Sequence, residues 1–229
     1  MKREIAYVIP SMGKPHAKLC LEYLAAHKHP GADVHLIHEG KSWPEAVNIG
    51  LARAKGKDVV LMDDDIFLTK NTFNFSDDLY DHADVFGFKL WHSGGTLQHA
   101  GGVFANGTIL HRFHGQPDEG QADVPLYVPH VTTSLCYIKA HVLEKLEGMA
   151  TDYMGIQFED VDFCFRALKA GLKLMYTPGP AVHLESASKH DLPMFRTRML
   201  QNQIELHRRH LEDPAFVELL KTFPKSVMP

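Results

Sequence analysis

The sequence predicts an α/β fold, in which a mostly parallel central sheet is flanked by helices and continues into a mixed second half. Three observations predict it. Apolar strand-like runs alternate with helix-like spacing over the first ninety residues, glycine-rich turns separate strand-like runs in the middle, and helical spacing closes the chain. Short β-α-β-α-β spacing implies parallel strands joined by right-handed crossovers, with helices on the faces of the sheet.

The first half supplies three strands and two helices. The strands are predicted over Glu4–Pro10, Asp33–His38 and Asp58–Met62, and the helices over Lys14–His27 and Pro44–Ala54. Pro44 falls near a first helical turn, where its missing N–H costs least. A helix between successive strands favours their parallel pairing, because parallel strands need a crossover connection.

The second half mixes strands and helices. Strands are predicted over Asp84–Trp91, Val103–Phe113, Val131–Ile138, Leu172–Thr177 and Ala181–Leu184. Helices are predicted over Ala140–Leu146, Glu159–Ala170, Pro193–His210 and Pro214–Lys221. We expect one sheet and a single domain over residues 1–229, divided into residues 1–90, 91–190 and 191–229.

Composition excludes several classes of protein. Lys and Arg number 24 against 28 Asp and Glu, a net charge of −4, which argues against nucleic acid as a partner. Three widely spaced cysteines without a C-x-x-C pair argue against a disulfide framework or a cysteine zinc site, and favour the cytoplasm. The apolar start is too short for a signal peptide, and no apolar run approaches the roughly 18 residues of a spanning helix, so we expect only peripheral membrane contact.

Three consecutive aspartates follow the third strand. Asp63 and Asp65 point to the same side of an extended backbone, beyond the carboxyl end of a strand where such sheets bind ligands. Two converging carboxylates repel each other unless a cation lies between them, and oxygen ligands suit Mg²⁺ or Mn²⁺. The pattern predicts a divalent metal that bridges to a diphosphate. An acidic turn that caps the next segment is the alternative.

A second acidic cluster begins a helix. Val161 and the apolar residues that follow at helical spacing predict a buried face, so Glu159, Asp160 and Asp162 lie in the first turn, where the helix dipole favours carboxylates. Asp162 can pair with Arg166 at i+4. Asp160 has no such partner in sequence and is the better candidate for a general base, while Glu159 is a candidate for contact with a sugar or acceptor hydroxyl.

Histidine is abundant, at 16 of 229 residues, so most histidines need only a structural explanation. His183 stands out by its position at the end of a short strand that follows the acidic helix. His99, His111 and His114 are candidates for contacts with acceptor hydroxyls, with surface or structural roles as the alternative.

Several segments resemble, in their order along the chain, a family 2 glycosyltransferase of the GT-A fold, whose central sheet is Rossmann-like. The matching segments are Ile9-Pro10-Ser11, Asn48-x-Gly50, Ala54-Lys55-Gly56, the run from Val59 to Asp65, the run from Leu97 to Phe104, and the run from Phe158 to Ala167 with Ala170-Gly171 after it. The run from Leu97 to Phe104 resembles bacterial rhamnosyltransferase-like members. The acidic helix is the most specific match.

The resemblance implies transfer of a sugar, with inversion, from a nucleotide-diphosphate donor to a glycan, lipid-linked or other hydroxyl acceptor. It places the donor in residues 1–90 and the acceptor in residues 91–190. Mn²⁺ or Mg²⁺ would be held by Asp65, Asp63 and His183, and Asp160 would deprotonate the acceptor hydroxyl, with Glu159 beside it. The resemblance further implies a set of donor-binding residues, namely Pro10, Ser11, Glu39, Asn48, Asp63 and Asp64.

Two departures refine the expectation. The Q-x-x-R-W motif of processive synthases is absent, because both tryptophans, Trp43 and Trp91, precede the acidic helix, so we expect single additions. The turn after the first strand lacks the aromatic-asparagine-arginine pattern frequent in the family, although a UDP-sugar remains the favoured donor. A nucleotidyltransferase and a non-catalytic nucleotide- or carbohydrate-binding module are the alternative functions.

Two further sets of residues are weaker candidates. Arg196, Arg198, Arg208 and Arg209 lie on the predicted C-terminal helix, where they would meet donor phosphates or anionic lipid, or form a solvated basic face. Ser188 and Lys189 follow His183 in a loop that would close over the diphosphate.

Overall fold

One mixed sheet runs through the part of the chain that the structure describes. The structure is a computed structural model, and it describes residues 3–74, 77–154, 157–184 and 195–224. Within these residues nine strands join in one sheet, with the order β2-β1-β3-β10-β5-β11-β4 and with β6 on β5 and β9 on β11. The expected α/β class with a fused mixed half is therefore confirmed.

The first half forms as predicted, with small shifts at the ends. Its elements are β1 (Ile5–Pro10), α1 (Pro15–His27), β2 (Asp33–Ile37), α2 (Trp43–Arg53), β3 (Asp58–Met62), β4 (Ile66–Leu68) and α3 (Asp77–His82). Strand β1 pairs in parallel with β2 on one side and with β3 on the other. The short strand β4 and helix α3 were not predicted from the sequence.

The second half contains the remaining elements. They are β5 (Val85–His92), β6 (Leu97–His99), β7 (Gly102–Ala105), β8 (Thr108–His111), β9 (Leu126–Tyr127), β10 (Leu135–Ile138), α4 (Ala140–Leu146), α5 (Glu159–Lys169), β11 (Leu174–His183), α6 (Phe195–Leu206), a π-helical turn (His207–Leu211) and α7 (Pro214–Lys221). Strand β10 lies between β3 and β5 and runs antiparallel to both, whereas β5 and β11 are parallel.

Side chains alternate between the two faces of the sheet, as period-2 geometry requires. Ala6 and Val8 of β1 face one core with Val47 of α2, while Tyr7 and Ile9 face the other. Helix α2 packs directly on β1, because a Cβ at its Gly50 would lie 2.2 Å from the Val8 side chain. The predicted apolar stripe of α5 is buried in the first of these cores.

The prediction of one strand over Val103–Phe113 was wrong. Strands β7 and β8 form a separate antiparallel hairpin instead. Asn106 and Gly107 connect them with φ angles of 52° and 74°, the left-handed backbone that tight hairpin turns require and that an Asn-Gly pair adopts readily.

The two strands predicted over Leu172–Thr177 and Ala181–Leu184 are one strand, β11. Its pairing with β5 shifts register between Thr177 and Pro180 and then resumes. The prolines lack an N–H and interrupt the ladder without turning the chain. The predicted strand at Val131–Ile138 forms only from Leu135, and the predicted helix at Pro193–His210 is α6 followed by the π-helical turn.

Within the described ranges, no helix has both the length and the apolar character needed to cross a membrane.

Candidate functional site

The carboxyl edge of the sheet gathers the first acidic group. Asp63 follows β3 directly, and its backbone N–H donates to the carbonyl of Ser134, 2.9 Å away, just before β10. Strand β4 begins at Ile66, so the three aspartates form the short connection between two strands. Oxygens of Asp63 and Asp65 lie within 4.8 Å of each other and of a ring nitrogen of His183.

His183 reaches this group because its strand pairs with β4. In the antiparallel ladder between β11 and β4, His183 stands opposite Ile66, and the N–H of Leu184 donates to the carbonyl of Asp65, 3.1 Å away. The ring atom Nε2 of His183 lies 3.1 Å from Oδ1 of Asp65. The backbone ladder therefore sets the spacing between the histidine and the aspartate.

Gln98 determines which nitrogen of His183 faces the carboxylates. Its Oε1 lies 2.7 Å from Nδ1 of His183, so Nδ1–H donates to Gln98 and the lone pair of Nε2 points toward Asp65. Two acceptors, Nε2 and a carboxylate oxygen, then face each other and need a proton or a cation between them. The group fits a divalent cation for this reason.

Electrostatics at the two carboxylates point the same way. Burial raises the pKa of Asp63, and the charge of Asp65 raises it further. Burial also opposes ionisation of Asp65, but when a proton occupies Nε2 of His183, the hydrogen bond from that nitrogen and the charge of the histidine outweigh burial and hold the pKa of Asp65 below the ordinary value. The indole N–H of Trp43 donates to Oδ1 of Asp63 over 2.9 Å, a contact that the sequence did not reveal.

Asp64 points away from this group and joins the turn after β1. The hydroxyl of Ser11 donates to Oδ2 of Asp64 over 2.6 Å, and Nε2 of His16 lies 3.5 Å from Oδ1. Ser11 follows Pro10, the last residue of β1. The structure thus brings Pro10, Ser11 and Asp64 together at one edge.

Glu39 lies in the neighbouring loop after β2. Nδ1 of His38 lies 3.0 Å from the carbonyl of Ser11, which places the two loops side by side. The exposed Glu39 carboxylate accepts a hydrogen bond from Arg53, and this contact holds its pKa below the ordinary value.

Asn48 lies outside this group. Its Nδ2 donates to the carbonyl of Met149 over 2.9 Å, and its Oδ1 accepts from the N–H of the same residue over 2.8 Å. Both polar groups of the amide are therefore used to hold the segment before α5.

The second acidic cluster begins α5, as predicted. Gln157 and Phe158 precede it with φ angles of 119° and 74°, conformations that residues with a side chain seldom adopt. Glu159 is 4% exposed, and one of its oxygens accepts from the N–H of Gln157. Asp160 keeps a quarter of its side chain exposed.

Asp160 has a partner that sequence spacing could not show. Nε2 of His130 lies 3.0 Å from its Oδ2. Burial opposes ionisation of Asp160, but its interaction with His130 outweighs burial and holds its pKa below the ordinary value. Burial raises the pKa of the Cys136 thiol in β10, and the charges of Cys164, Asp63 and Asp160 raise it further, so the two acidic groups both lie near this strand.

Asp162 is fully buried and belongs to a structural network. The predicted pair with Arg166 forms at 2.7 Å, and Nε2 of His210 and the hydroxyl of Tyr153 lie 2.9 and 3.1 Å from the carboxylate. These partners outweigh burial and hold the pKa of Asp162 below the ordinary value.

The three histidines proposed as acceptor contacts form one cluster with His130, the partner of Asp160. Nδ1 atoms of His99 and His111 lie 3.1 Å apart, and Nδ1 of His114 lies 2.9 Å from the carbonyl of Gln98. Ring nitrogens of His99, His111 and His130 lie within 4.8 Å of one another. Contact with an acceptor hydroxyl stays a prediction for them.

The C-terminal arginines are partly engaged within the protein. Arg208 and Arg209 pair with Glu205, and Arg209 also pairs with Asp152. Ser188 and Lys189 lie outside the described residues.

Solved structures show where this fold has been seen. The structure of GalNAc-T7 with UDP, GalNAc and Mn²⁺ superposes with a TM-score of 0.70 at 11% identity, over 91% of this chain and 49% of that one. The mannosyltransferase PcManGT from Pyrobaculum calidifontis, in complex with GDP-Man and Mn²⁺, superposes with a TM-score of 0.61 at 14% identity, over 96% and 69%. At these identities the likeness shows the fold alone.

Sequence comparison places the chain in a family. The uncharacterized protein y4gI of Sinorhizobium fredii (strain NBRC 101917 / NGR234) is 26% identical over an alignment of 185 residues, and the alignment covers 74% of this chain. The chain covers 20% of the length of that protein. The model described as "Glycosyltransferase like family 2" matches residues 20–209, more than four-fifths of the chain. The chain therefore belongs to the family 2 glycosyltransferases, with a central sheet of the GT-A type.

Proposed function

We propose that this chain transfers a sugar, with inversion at the anomeric carbon, from a nucleotide-diphosphate donor to an acceptor hydroxyl. A UDP-sugar is the favoured donor, and a glycan, lipid-linked or other hydroxyl compound is the acceptor. The observation that carries the proposal is the convergence of Asp63, Asp65 and His183 at the sheet edge, with Asp160 near the same strand, β10.

The residues of the first acidic group suit a divalent metal. Asp63, Asp65 and His183 would hold Mn²⁺ or Mg²⁺, because two carboxylates and an imidazole lone pair already face one another there. A bound ion would neutralise charge on the leaving diphosphate. GalNAc-T7 and PcManGT were both solved with Mn²⁺ and a nucleotide or nucleotide sugar, which supports this assignment.

The loops after β1 and β2 would bind the nucleotide. Pro10, Ser11, Glu39 and Asp64 lie in or beside these two loops, at the same edge as the metal ligands. Asp63 would contact the metal or the ribose. We leave Asn48 out of the donor site, because the backbone of Met149 already uses both ends of its amide.

Asp160 would act as the general base. It has an ionised carboxylate with a partly exposed side chain, so it can accept the proton of an acceptor hydroxyl. The hydroxyl oxygen then forms a bond to the anomeric carbon from the face opposite the leaving group, and the nucleoside diphosphate departs. Glu159 is buried against the N–H of Gln157, so we assign it to holding the start of α5.

The domain organisation follows from the same assignment. We propose one catalytic domain, with residues 1–90 binding the donor and residues 91–190 the acceptor, followed by the C-terminal helices. Single additions are expected.

Release of nucleoside diphosphate tests the proposal. Purified protein would be incubated with UDP-, GDP- and dTDP-sugars, with and without Mn²⁺, over a panel of acceptors, and NMR would report the anomeric configuration of the product. We expect metal-dependent release of UDP and an inverted product, both lost in Asp65→Ala. Metal-dependent nucleotide binding without turnover would indicate a binding module, and transfer of the nucleotidyl group with release of sugar 1-phosphate would indicate a nucleotidyltransferase.

A further inference from the structure

We propose that His130 is a positioning residue, which orients the carboxylate of Asp160 so that it can receive the acceptor proton. This inference rests on the proposed function. The contact that carries it joins Nε2 of His130 to Oδ2 of Asp160 over 3.0 Å. His130 is 1% exposed, so its ring is held by the protein on all sides, while the carboxylate keeps a partly open side.

The surroundings of the ring determine its tautomer. Nδ1 of His130 is buried and finds no hydrogen-bond partner among the described residues. A ring with both nitrogens protonated would leave a buried N–H without an acceptor, which costs more than an unpaired lone pair. The neutral ring with its proton on Nε2 is therefore favoured, and Nε2–H donates to Asp160. His130 orients the base and does not take its proton.

Gly102 makes room for this arrangement. A Cβ at Gly102 would lie 2.7 Å from the Cβ of His130 and 2.8 Å from Nδ1. The N–H of Gly102 also donates to the carbonyl of His130 over 2.8 Å. Any larger residue at position 102 would displace the ring that holds Asp160.

Helix α5 is tied to the same segment. Sγ of Cys164 lies 3.5 Å from the N–H of Val131, which donates to it, and 3.4 Å from the carbonyl of Val131. Cys164 is four residues after Asp160 and therefore on the same face of the helix. The backbone beside His130 and the helix that carries Asp160 are thus fixed to each other at two points.

A metal held by His99, His111 and His130 is the competing explanation, since their ring nitrogens lie within 4.8 Å of one another. The hydrogen bonds oppose it. The N–H of Thr132 donates to Nε2 of His99, so Nδ1–H of His99 donates to Nδ1 of His111 over 3.1 Å. Nδ1 of His111 also lies 3.3 Å from the carbonyl of Gln98. Because this contact is longer than the one to His99, we assign Nδ1 of His111 as the acceptor of the hydrogen bond from His99.

The lone pairs that a metal would need are therefore used or turned away. The lone pair on Nε2 of His99 accepts from the N–H of Thr132, and the lone pair on Nδ1 of His111 accepts from His99. The lone pair on Nδ1 of His130 faces Gly102. Burial and the neighbouring rings hold the pKa of His99 well below its ordinary value and lower that of His111 to about 4. The histidines form a neutral, hydrogen-bonded layer behind the base.

The test compares two residues of similar shape at position 130. Gln keeps a donor where Nε2 stands, and Met does not. In His130→Met we expect kcat to fall about 10- to 100-fold, the cost of a misplaced catalytic group, with KM for the donor and its metal-dependent affinity unchanged. His130→Gln should recover most of kcat. The ¹⁵N shifts of His130 should show a neutral ring protonated on Nε2 that responds to Asp160→Asn.

A matched control is a second histidine that contacts a carboxylate of α5. His210 also donates through Nε2 to a carboxylate of α5, Asp162, and its Nδ1 is likewise buried without a partner among the described residues. His210→Met should destabilise the fold while leaving kcat per folded molecule unchanged. An equal fall in kcat in the two Met variants, or no recovery with Gln, would reduce His130 to a structural residue.

Two other results separate the possible failures. If the wild-type protein turns over no donor, both the proposed function and the role of His130 are wrong. If the wild-type protein is active and His130→Met has the same kcat, only the role of His130 is wrong. Co²⁺ added to Asp65→Ala should give no d–d bands beyond the weak ones of the hexaaqua ion. Stoichiometric Co²⁺ binding to Asp65→Ala that disappears in the double variant Asp65→Ala/His130→Met would identify a metal site at the histidines and overturn the positioning role of His130.

Discussion

Asp160 and Asp162 lie two residues apart on α5, each with a histidine that donates through Nε2 at 3.0 and 2.9 Å. They differ in what else surrounds them. Asp162 is fully buried and adds Arg166 and Tyr153, whereas within the described ranges Asp160 adds an N–H of its own helix and stays partly exposed. One pair is closed on itself, and the other is left open on one side. The difference teaches that unused hydrogen-bonding capacity, more than the residue types, distinguishes the carboxylate that we propose as the base from its structural neighbour.

Asp160→Asn is the strongest way to test the open side of this comparison. Because the amide cannot accept the acceptor proton, transfer should fall about 10²- to 10⁴-fold, the range for a lost general base. Unfolding in urea should change by less than about 1 kcal/mol, since the side chain is partly solvated. Steady-state kinetics and denaturation of the same preparation check both. Wild-type turnover in this variant would remove Asp160 from the mechanism.

Asp162→Asn tests the closed side. Removing the charge leaves Arg166 without its buried counter-ion, so we expect a loss of about 3 kcal/mol or more in the free energy of unfolding. Activity per folded molecule should stay close to wild type. Urea denaturation measures the first, and kinetics corrected for the folded fraction measure the second. A large loss of kcat with unchanged stability would exchange the roles of the two aspartates.

Gly102→Ala sharpens the comparison by moving only one of the two histidines. The added methyl group collides with His130, so we expect about 1–3 kcal/mol of destabilisation and a lower kcat. Gly94→Ala is the control, because a Cβ there meets nothing within 4 Å. If both variants behave alike, the ring of His130 tolerates displacement and the packing argument fails.

The pH dependence of stability gives the smallest effect. The folded-state pKa of Asp162 is held below its ordinary value of 3.8. Its ionised form therefore stabilises the fold fully above the unfolded-state pKa, and this contribution is lost as pH falls through the folded-state pKa. Thermal unfolding between pH 6 and pH 3 should show a shallower decline in Asp162→Asn than in the wild type. Parallel declines would mean that other carboxylates control acid unfolding.

Local sequence rules predicted those parts of the site that depend on neighbouring residues. Alternation along an extended backbone placed Asp63 and Asp65 together, and i+4 spacing paired Asp162 with Arg166. The same rules identified β1, β2 and β3, and the apolar runs of β1 and β3 are buried on both faces of the sheet.

Contacts between distant residues could not be predicted in this way. His130 reaches Asp160 from 30 residues away, and Gln98 reaches His183 across 85. Asn48 shows the converse case, because a motif position predicts donor binding, whereas in the structure the amide bonds to the backbone of Met149, 101 residues away. The Asn106-Gly107 turn, by contrast, is a local signal, because an Asn-Gly pair favours the left-handed backbone of a tight hairpin.

Strand β4 lies at the edge of the sheet and is attached to it through β11, the strand that ends at His183. Edge strands open more readily than central ones, and each opening of this ladder would pull Asp65 away from His183. A cation bound by both residues would favour the closed ladder by mass action. Hydrogen exchange at the amides of residues 66–68 should therefore slow when Mn²⁺ or Mg²⁺ is added, which makes the fraying of one short strand a direct gauge of ion occupancy.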